Sequence, residues 1–444
     1  MKKNLLLYFV ICNLCIISHT VHADNLVSVL GFYSIAPADG ADIWGYVDPN
    51  TGKEYALMGR LSNGLMIFDV TDPTNPILVS HMRSVPGFDV KVWKNYAYTV
   101  TGSGGGFGAI IDLTNPAEPV QVGSFNSSHN IFISENGYMF QSGPGTRIMD
   151  LNNDPTNPVQ IWRVGTDGHD AAVIGNRLYD FHGSPGTFIY DISDISNPNL
   201  IGSITNSTIF YHHSGWTSKD GDYLFITDEG SRHPFPDITV WDIRNVSEPQ
   251  RVGEWGDARG IVHNLYIIGD YAFTSYYYSG FRVFDISDPT NIKVVAEYDT
   301  SPISREGFGG AFGVYPFAPS GNIYVSDQSG LFIFKFDRQI TDISPTESYE
   351  IPTEFTLGQN YPNPFNPKTQ IDYSIATSSD VNIIVYNILG QPIRSLVDQY
   401  QTAGQYTVTW NGKDDFGIDV SAGYYIYKMQ AGAFVENKRM VYLK

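Results

Sequence analysis

The chain has 444 residues, a formal net charge of −19 and two cysteines, Cys12 and Cys15. So acidic a protein is a poor partner for nucleic acid or for an anionic membrane surface. Both cysteines lie in a segment that we expect to be removed, so disulfides and cysteine-based metal sites are excluded from the mature chain.

The first residues are typical of a secretory signal peptide, which we predict to span residues 1–23. Lys2 and Lys3 precede an apolar run that extends from Leu5 to Ile17, and Val21 and Ala23 supply small residues for cleavage. The apolar run is short for a membrane span, and no second candidate follows. The mature chain is therefore predicted to have no transmembrane segment.

An aspartate-centred motif recurs through the middle of the chain. The aspartates that mark six copies are Asp69, Asp112, Asp150, Asp191, Asp242 and Asp285, and Lys335 takes their place in a degenerate seventh copy. Neighbouring markers are 38 to 51 residues apart, and each unit alternates β-branched and aromatic runs with Gly, Asp, Asn and Pro turns. A period near 40 with four strands in each unit is typical of a propeller blade.

The two ends of the repeat region complement each other. The seventh copy stops after its third strand, near Phe336, whereas Asn25–Tyr33 resembles a fourth strand without a partner. We predict that this N-terminal strand completes the last blade and closes the ring, which removes two sheet edges. The predicted fold is all-β: a seven-bladed β-propeller over residues 24–337, a linker over 338–352 and an Ig-like β-sandwich over 353–444.

The repeats resemble the LVIVP repeats of secreted bacterial proteins, and residues 24–337 resemble the choice-of-anchor B family. The residues that carry the resemblance are His129-Asn130, His169-Asp170, His213–Trp216, Asp228-Glu229 and Val262–Tyr266. That family has no settled activity. The resemblance therefore implies an architecture and a secreted protein, but no reaction.

The C-terminal region resembles the type A sorting domain of the type IX secretion system and the related FlgD-type Ig-like fold. The matching segments are Phe355–Ile371, Val385–Gln391, Trp410–Asp414, Ala422–Tyr427 and Lys438–Lys444. The resemblance implies export through the periplasm, with the type IX machinery as partner, and then anchoring at the outer-membrane surface or release outside the cell. The alternative is a carbohydrate-binding or spacer sandwich.

Four histidines take the same place in their repeats, at the start of a blade's first strand: His129, His169, His213 and His263. In the first two blades we assign Asp42 and Asp89 to this place, and Phe312-Gly313 breaks the pattern in the seventh. Because first strands line a propeller's channel, the six polar side chains should face one point and could bind a divalent transition metal. The next residues, Asn130, Asp170 and Asn264, are expected to orient the imidazoles. The alternative is that polar side chains and water simply fill the channel.

Further candidates are expected at the same mouth. Acidic and histidine side chains follow second strands, and aromatic side chains would form walls: Asp180, His182, Asp228 and Glu229, and Trp216 and Tyr277. Paired carboxylates can do acid–base chemistry, although acids at strand ends also form turns.

Three functions are compatible with these patterns. The preferred one is a secreted or cell-surface propeller that binds an extracellular ligand or partner at its mouth through a His/Asp metal site. The second is a metal-dependent extracellular hydrolase or lyase, and the third is a structural interaction platform. The fold does not choose between them, because propellers host binding proteins and enzymes alike.

Overall fold

The computed structural model describes residues 26–337 with gaps at 63, 166–167, 206–209, 231–235, 259 and 302–306. It also describes residues 354–443 with gaps at 377–378, 402–403 and 416. The predicted signal peptide and linker lie outside these residues. Every regular element in the described ranges is a β-strand, so they contain no helix able to cross a membrane.

The chain begins with β1 (Val27–Ser34) and then forms its blades in sequence order. Blade 1 contains β2 (Gly40–Val47), β3 (Glu54–Arg60), β4 (Gly64–Asp69) and β5 (Ile77–Met82). Blade 2 contains β6 (Asp89–Trp93), β7 (Tyr96–Val100), β8 (Phe107–Asp112) and β9 (Val120–Asn126). Blade 3 contains β10 (Asn130–Ile133), β11 (Tyr138–Ser142), β12 (Thr146–Asp150) and β13 (Val159–Val164).

The next three blades repeat this order. Blade 4 contains β14 (Asp170–Ile174), β15 (Arg177–Phe181), β16 (Thr187–Asp191) and β17 (Asn199–Ile204). Blade 5 contains β18 (His212–Thr217), β19 (Tyr223–Asp228), β20 (Ile238–Asp242) and β21 (Gln250–Trp255). Blade 6 contains β22 (Leu265–Ile268), β23 (Tyr271–Ser275), β24 (Phe281–Asp285) and β25 (Lys293–Tyr298).

Blade 7 joins the two ends of the propeller. Its strands β26 (Ala311–Tyr315), β27 (Asn322–Asp327) and β28 (Gly330–Phe336) are completed by β1, in the order β1-β28-β27-β26. β1 runs antiparallel to β28, with Val27 opposite Phe336 and Ser34 opposite Gly330. The predicted seven blades and the predicted closing strand are confirmed.

Apolar faces of neighbouring blades pack together around the ring. Between blades 7 and 1, the buried cluster includes Ile43, Met58, Phe68, Tyr324, Leu331 and Ile333. Full burial of one such side chain contributes about 1.5–3 kcal/mol. Closure by β1 is therefore supported by inter-blade packing as well as by strand pairing.

The C-terminal domain is a β-sandwich of seven strands. They are β29 (Thr356–Leu357), β30 (Thr369–Ile375), β31 (Ser379–Asn387), β32 (Pro392–Gln401), β33 (Gly404–Trp410), β34 (Gly423–Ala431) and β35 (Phe434–Tyr442). One sheet has the order β29-β30-β33 and the other β32-β31-β34-β35. Trp410 and Tyr427 lie in the core between them, as expected for an Ig-like domain with alternating inward side chains.

Candidate metal centre at the channel mouth

Six aromatic side chains from six successive blades form a closed ring at one mouth of the channel. We call this set the mouth ring: Phe88, His129, His169, His213, His263 and Phe312. Ring centroids of successive members are 5.0, 4.3, 4.6, 4.3 and 4.5 Å apart, and Phe312 returns to Phe88 at 5.5 Å. The structure thus brings the four candidate histidines side by side.

Strand pairing explains why these residues converge. In four blades the amide of the mouth-ring residue donates to the last carbonyl of the second strand: Phe88 to Val100, His129 to Ser142, His169 to Phe181 and His263 to Ser275. The blade 2 counterpart of the histidines is therefore Phe88, and Asp89 corresponds to Asn130 and Asp170, the residues that follow a histidine.

Asp42 and Asp89 lie outside the mouth ring, which corrects their assignment from the sequence. Nζ of Lys91 lies 3.1 Å from Oδ2 of Asp42 and also contacts Oδ1 of Asp89. Burial alone would lower the pKa of Lys91, but the carboxylates of Asp42 and Asp89 hold this pKa well above its usual value. Asp42 and Asp89 therefore form a buried ion-pair cluster with Lys91, and Asp89 lies one residue after the mouth-ring position of its blade.

Glu229 is the carboxylate that approaches the histidines. Its Oε2 lies 3.7 Å from Nε2 of both His169 and His213, and its Oε1 lies 4.0 Å from Nε2 of His263. Two ligands at about 2.0–2.1 Å from a tetrahedral metal ion are roughly 3.3 Å apart. The observed spacing therefore exceeds that of a coordinated pair by a few tenths of an ångström. Potential ligand atoms of His169, His213 and Glu229 all lie within 4.8 Å of one another.

Backbone carbonyl groups fix the orientation of two imidazoles. Nδ1 of His129 lies 2.5 Å from the carbonyl oxygen of Gly102, and Nδ1 of His263 lies 2.5 Å from that of Phe312. A carbonyl oxygen can only accept a hydrogen bond, so each Nδ1 carries the proton when the ring is neutral. The lone pair of each ring is then on Nε2, the nitrogen needed for metal coordination.

A tyrosine holds a third imidazole. The phenol oxygen of Tyr211 lies 2.9 Å from Nδ1 of His169. Nδ1 of these three rings thus contacts Gly102, Tyr211 or Phe312, and not the following residues that we expected to orient them, which are Asn130, Asp170 and Asn264.

Burial favours the neutral form of all four imidazoles. Burial, aided by His129 and His263, lowers the pKa of His169 to about 2. Burial lowers the pKa of His213 well below its usual value and also lowers the pKa values of His129 and His263. Nε2 of His169 and Nδ1 of His213 are buried and make no hydrogen bond within the described chain. Neutral imidazoles with such nitrogens suit a metal ion.

The end of blade 5's second strand holds Glu229 in place. The carboxylate of Asp228 accepts hydrogen bonds from the amides of Phe210 and Tyr211, at 2.8 and 2.6 Å. The amide of Glu229 donates to the carbonyl of Tyr211 at 3.1 Å. Asp228, a candidate from the sequence, thus organises the loop that carries two residues of the site.

Tyr277 meets Glu229 from blade 6. Its hydroxyl donates to Oε1 of Glu229 at 2.5 Å, and its ring lies 4.8 Å from that of His263. Tyr277 has a φ of +35°, which is uncommon for a residue with a side chain and costs conformational energy. The sequence predicts both residues at the mouth but gives no indication that they pair.

Two of the remaining candidates contact each other. Asp180 is fully buried and accepts hydrogen bonds from Thr146 and His182, at 2.7 and 2.8 Å. Trp216 follows His213 by three residues, about 10 Å along a strand. It packs against Tyr266 at 5.4 Å in the channel interior, and not at the mouth where we expected it.

The channel is filled beneath the mouth ring. Aromatic side chains contact one another across it, with centroid separations of 4.9 to 6.1 Å in the pairs Trp44–Tyr315, Trp216–Tyr266, Tyr266–Phe317 and Trp44–Tyr266. A cavity beside Lys91 and Asp170 measures about 10 Å³, room for roughly one water molecule. The histidines are therefore accessible from the mouth and not through the channel.

Two groups of the site have no signal in the sequence. The carbonyl oxygens of Gly102 and Phe312 belong to the backbone and leave no trace in residue type. Tyr211, two residues before His213, is expected from the sequence as an aromatic side chain at the mouth, but its contact with His169 is not.

Seven four-stranded blades around a histidine-lined mouth define the chain as a β-propeller protein with an Ig-like domain at its C-terminal end. Residues 53–83, 88–127, 167–206 and 259–300 match the LVIVD repeat family. Residues 366–433 match the FlgD Ig-like domain family. The chain therefore carries LVIVD repeats followed by an FlgD-type Ig-like domain.

Solved structures share the propeller fold at low sequence identity. The WD40 β-propeller domain of Doa1 aligns with a TM-score of 0.50 at 11% identity, covering 70% of this chain and 96% of that chain. Raptor from Chaetomium thermophilum aligns with a TM-score of 0.52 at 9% identity, covering 71% of this chain and 30% of that chain. No curated protein matches the sequence. These likenesses concern the fold alone.

Proposed function

We propose that the channel mouth binds a divalent transition metal and, through it, an extracellular ligand. One observation carries the proposal: a single carboxylate oxygen of Glu229 lies 3.7 Å from Nε2 of two imidazoles, one partly buried and one buried, with a third imidazole 4.0 Å from the other oxygen. Without a cation, these groups would be a carboxylate facing neutral rings at distances too long for hydrogen bonds.

The donor set suits first-row transition metals. His169, His213 and Glu229 supply two imidazole nitrogens and one carboxylate oxygen, and His263 is the nearest further ligand. Such nitrogen and oxygen donors fit Zn²⁺, Mn²⁺, Fe²⁺ or Co²⁺. Because the channel beneath is filled, a position left open on the metal would face the mouth, where a ligand can bind.

The metal content of the purified chain tests the proposal directly. The mature chain, purified without added metal and dialysed, should retain close to one transition-metal ion per chain by elemental analysis. The double substitution His169→Ala and His213→Ala should remove it, while His81→Ala, on the outermost strand of blade 1, should retain it. A dialysed chain that holds no metal and rebinds none of the four ions would overturn the proposal.

A metal-dependent hydrolase or lyase is the second candidate, favoured by Tyr277. Burial raises the pKa of this phenol well above its usual value, so it stays protonated and can donate to Glu229 or to a reacting oxygen. A metal ion can lower the pKa of bound water to about 7. If the metal-loaded chain cleaves an ester or polymer, Tyr277→Phe should reduce turnover at unchanged metal content. Equal turnover would show that Tyr277 takes no part in the reaction.

If the purified chain binds no metal, the third function, a structural interaction platform, is favoured instead.

We also propose that the chain is exported to the cell surface or beyond, with its C-terminal domain recognised by the type IX machinery. The basic and apolar N-terminal residues and the FlgD Ig-like match support this proposal. In a host with that system, the full chain should reach the surface or the medium, and a chain lacking residues 353–444 should remain in the periplasm. Equal export of both chains would contradict the assignment.

A further inference from the structure

We infer that the ligand of this mouth is a small aromatic anion, with one negatively charged oxygen donor on a planar ring. The inference rests on the proposed metal site and names the ligand class that would bind there. Two independent features of the described residues support it: the charge balance around Glu229 and the aromatic surface beside the histidines.

The charge balance favours a single negative charge on the ligand. An imidazole that binds a metal ion does so as a neutral ligand, and Glu229 is the acidic side chain whose oxygens lie 3.7 to 4.0 Å from Nε2 of His169, His213 and His263. A divalent ion with one carboxylate leaves a net charge of about +1 in a largely buried site. A monoanionic donor neutralises that charge, whereas a neutral ligand leaves it uncompensated and a dianion reverses it.

Aromatic surface extends outward from the histidines on the blade 6 and 7 side. Tyr277 packs 4.8 Å from the ring of His263 and 5.9 Å from that of Phe312. Phe308 meets the Tyr277 ring edge to face at 5.5 Å, and 61% of its surface is exposed. Pairing of Tyr277 with Ala311 holds these rings next to each other.

A second exposed phenylalanine lies in the chain next to Tyr211. The amide of Phe210 is held by Asp228, its side chain is 48% exposed, and it directly precedes Tyr211, which contacts His169. Exposed aromatic residues therefore adjoin the contacts of His169 as well as those of His263.

The aromatic surface formed by Tyr277 and Phe308 can offer a ligand aromatic contacts but few hydrogen bonds. The hydroxyl groups of Tyr211 and Tyr277 are already engaged with His169 and Glu229. A polyhydroxylated ligand such as a sugar would lose hydrogen bonds to water here. A planar ring can instead stack or pack edge to face against Tyr277 and Phe308, with centroids 4.5–7 Å apart, as aromatic pairs prefer.

Titrations of the full mature chain loaded with Co²⁺ test the inference, because the visible spectrum of Co²⁺ reports direct binding to the metal. The probes are benzoate, acetate, cyclohexanecarboxylate and benzamide. We expect benzoate to bind about tenfold or more tightly than acetate and more tightly than cyclohexanecarboxylate, whereas benzamide should leave the spectrum unchanged.

Substitution of Phe308 tests whether this side chain contacts the aromatic ring of the ligand. Phe308→Ala should weaken benzoate binding by about tenfold while leaving acetate affinity and Co²⁺ content unchanged. The matched control is Phe32→Ala, which removes a phenylalanine, 44% exposed, from β1 at the outer edge of blade 7. This control should bind benzoate as the parent chain does.

The outcomes separate the two proposals. If the chain binds no Co²⁺, the metal site and the ligand inference both fail. If Co²⁺ binds but benzoate is no tighter than acetate or cyclohexanecarboxylate, or Phe308→Ala has no effect, the metal site stands and the aromatic anion is ruled out.

Discussion

Acidification should destabilise the propeller through the buried histidines of the mouth ring. Burial lowers the pKa of His169 to about 2 in the folded chain, whereas an unfolded histidine titrates near about 6.5. Below that pH the unfolded chain takes up a proton that the folded chain does not. The folded state is therefore at its most stable with respect to this group above about pH 6.5, and it loses stability as the pH falls.

The magnitude follows from linkage. A histidine that titrates only when unfolded costs about 1.4 kcal/mol for each pH unit, so His169 alone costs roughly 2 kcal/mol between about pH 6.5 and about pH 5. Burial also lowers the pKa of His212 to about 3 and the pKa of His213 well below its usual value. His169 and His212 together should cost about 4 kcal/mol over that interval, and His213 acts in the same direction.

Urea unfolding followed by tryptophan fluorescence, in chelator and at several pH values, measures this effect. His169→Asn should reduce the pH dependence of the unfolding free energy by about 1.4 kcal/mol per pH unit, and His81→Asn serves as the control. Burial raises the pKa of Asp89 to about 7 and gives a contribution of opposite sign, but this acid is common to all three chains. Equal slopes for the parent and His169→Asn would refute the reasoning.

Three further predictions concern closure, the buried lysine and the orienting tyrosine. Deleting Val27–Ser34 should destabilise the whole propeller, because β28 loses its partner; an unchanged thermal midpoint would exclude a closing role. Lys91→Met should lower the free energy of unfolding in urea by about 3–5 kcal/mol, because it leaves buried carboxylates unpaired. Lys53→Met removes an exposed ion pair and should have little effect. Equal losses of unfolding free energy in the two variants would contradict this account. Tyr211→Phe should weaken metal affinity about tenfold at unchanged stoichiometry, because His169 loses its contact at Nδ1; an unchanged Kd would show that the hydroxyl is dispensable.

The repeat pattern was sufficient to predict the architecture. A strand at each end of the propeller region lacked a partner, and sheet edges are costly to leave open, so pairing β1 with β28 followed from counting strands. The register of the first strands, which decides the residues that face the mouth, was harder to predict. Successive side chains of a strand point to opposite faces, so equating Asp89 with the histidines, instead of Phe88, exchanged a group at the mouth for one that pairs with Lys91.

The chemical partners of the histidines were less accessible to sequence reasoning than the histidines themselves. Glu229 follows Asp228, whose carboxylate accepts hydrogen bonds from the amides of Phe210 and Tyr211 and so holds this part of the mouth beside the histidines. Such loop geometry does not repeat along the sequence, so the repeat pattern could not predict it. The sequence could nominate Glu229 as an acid at a strand end. Its place opposite three imidazoles depends on how blade 5 is oriented against blades 4 and 6.

The closing strand and the histidine cluster, which the sequence predicted separately, are physically connected through blade 7. The carbonyl of Phe312 accepts hydrogen bonds from Nδ1 of His263 and from the hydroxyl of Ser275, at 2.5 and 2.8 Å. Phe312 belongs to β26, in the sheet that β1 completes. Closure therefore helps to position the group that keeps the proton of His263 on Nδ1 and its lone pair on Nε2. In the proposed metal site, closure by β1 would therefore contribute to metal affinity by fixing a tautomer in the neighbouring blade.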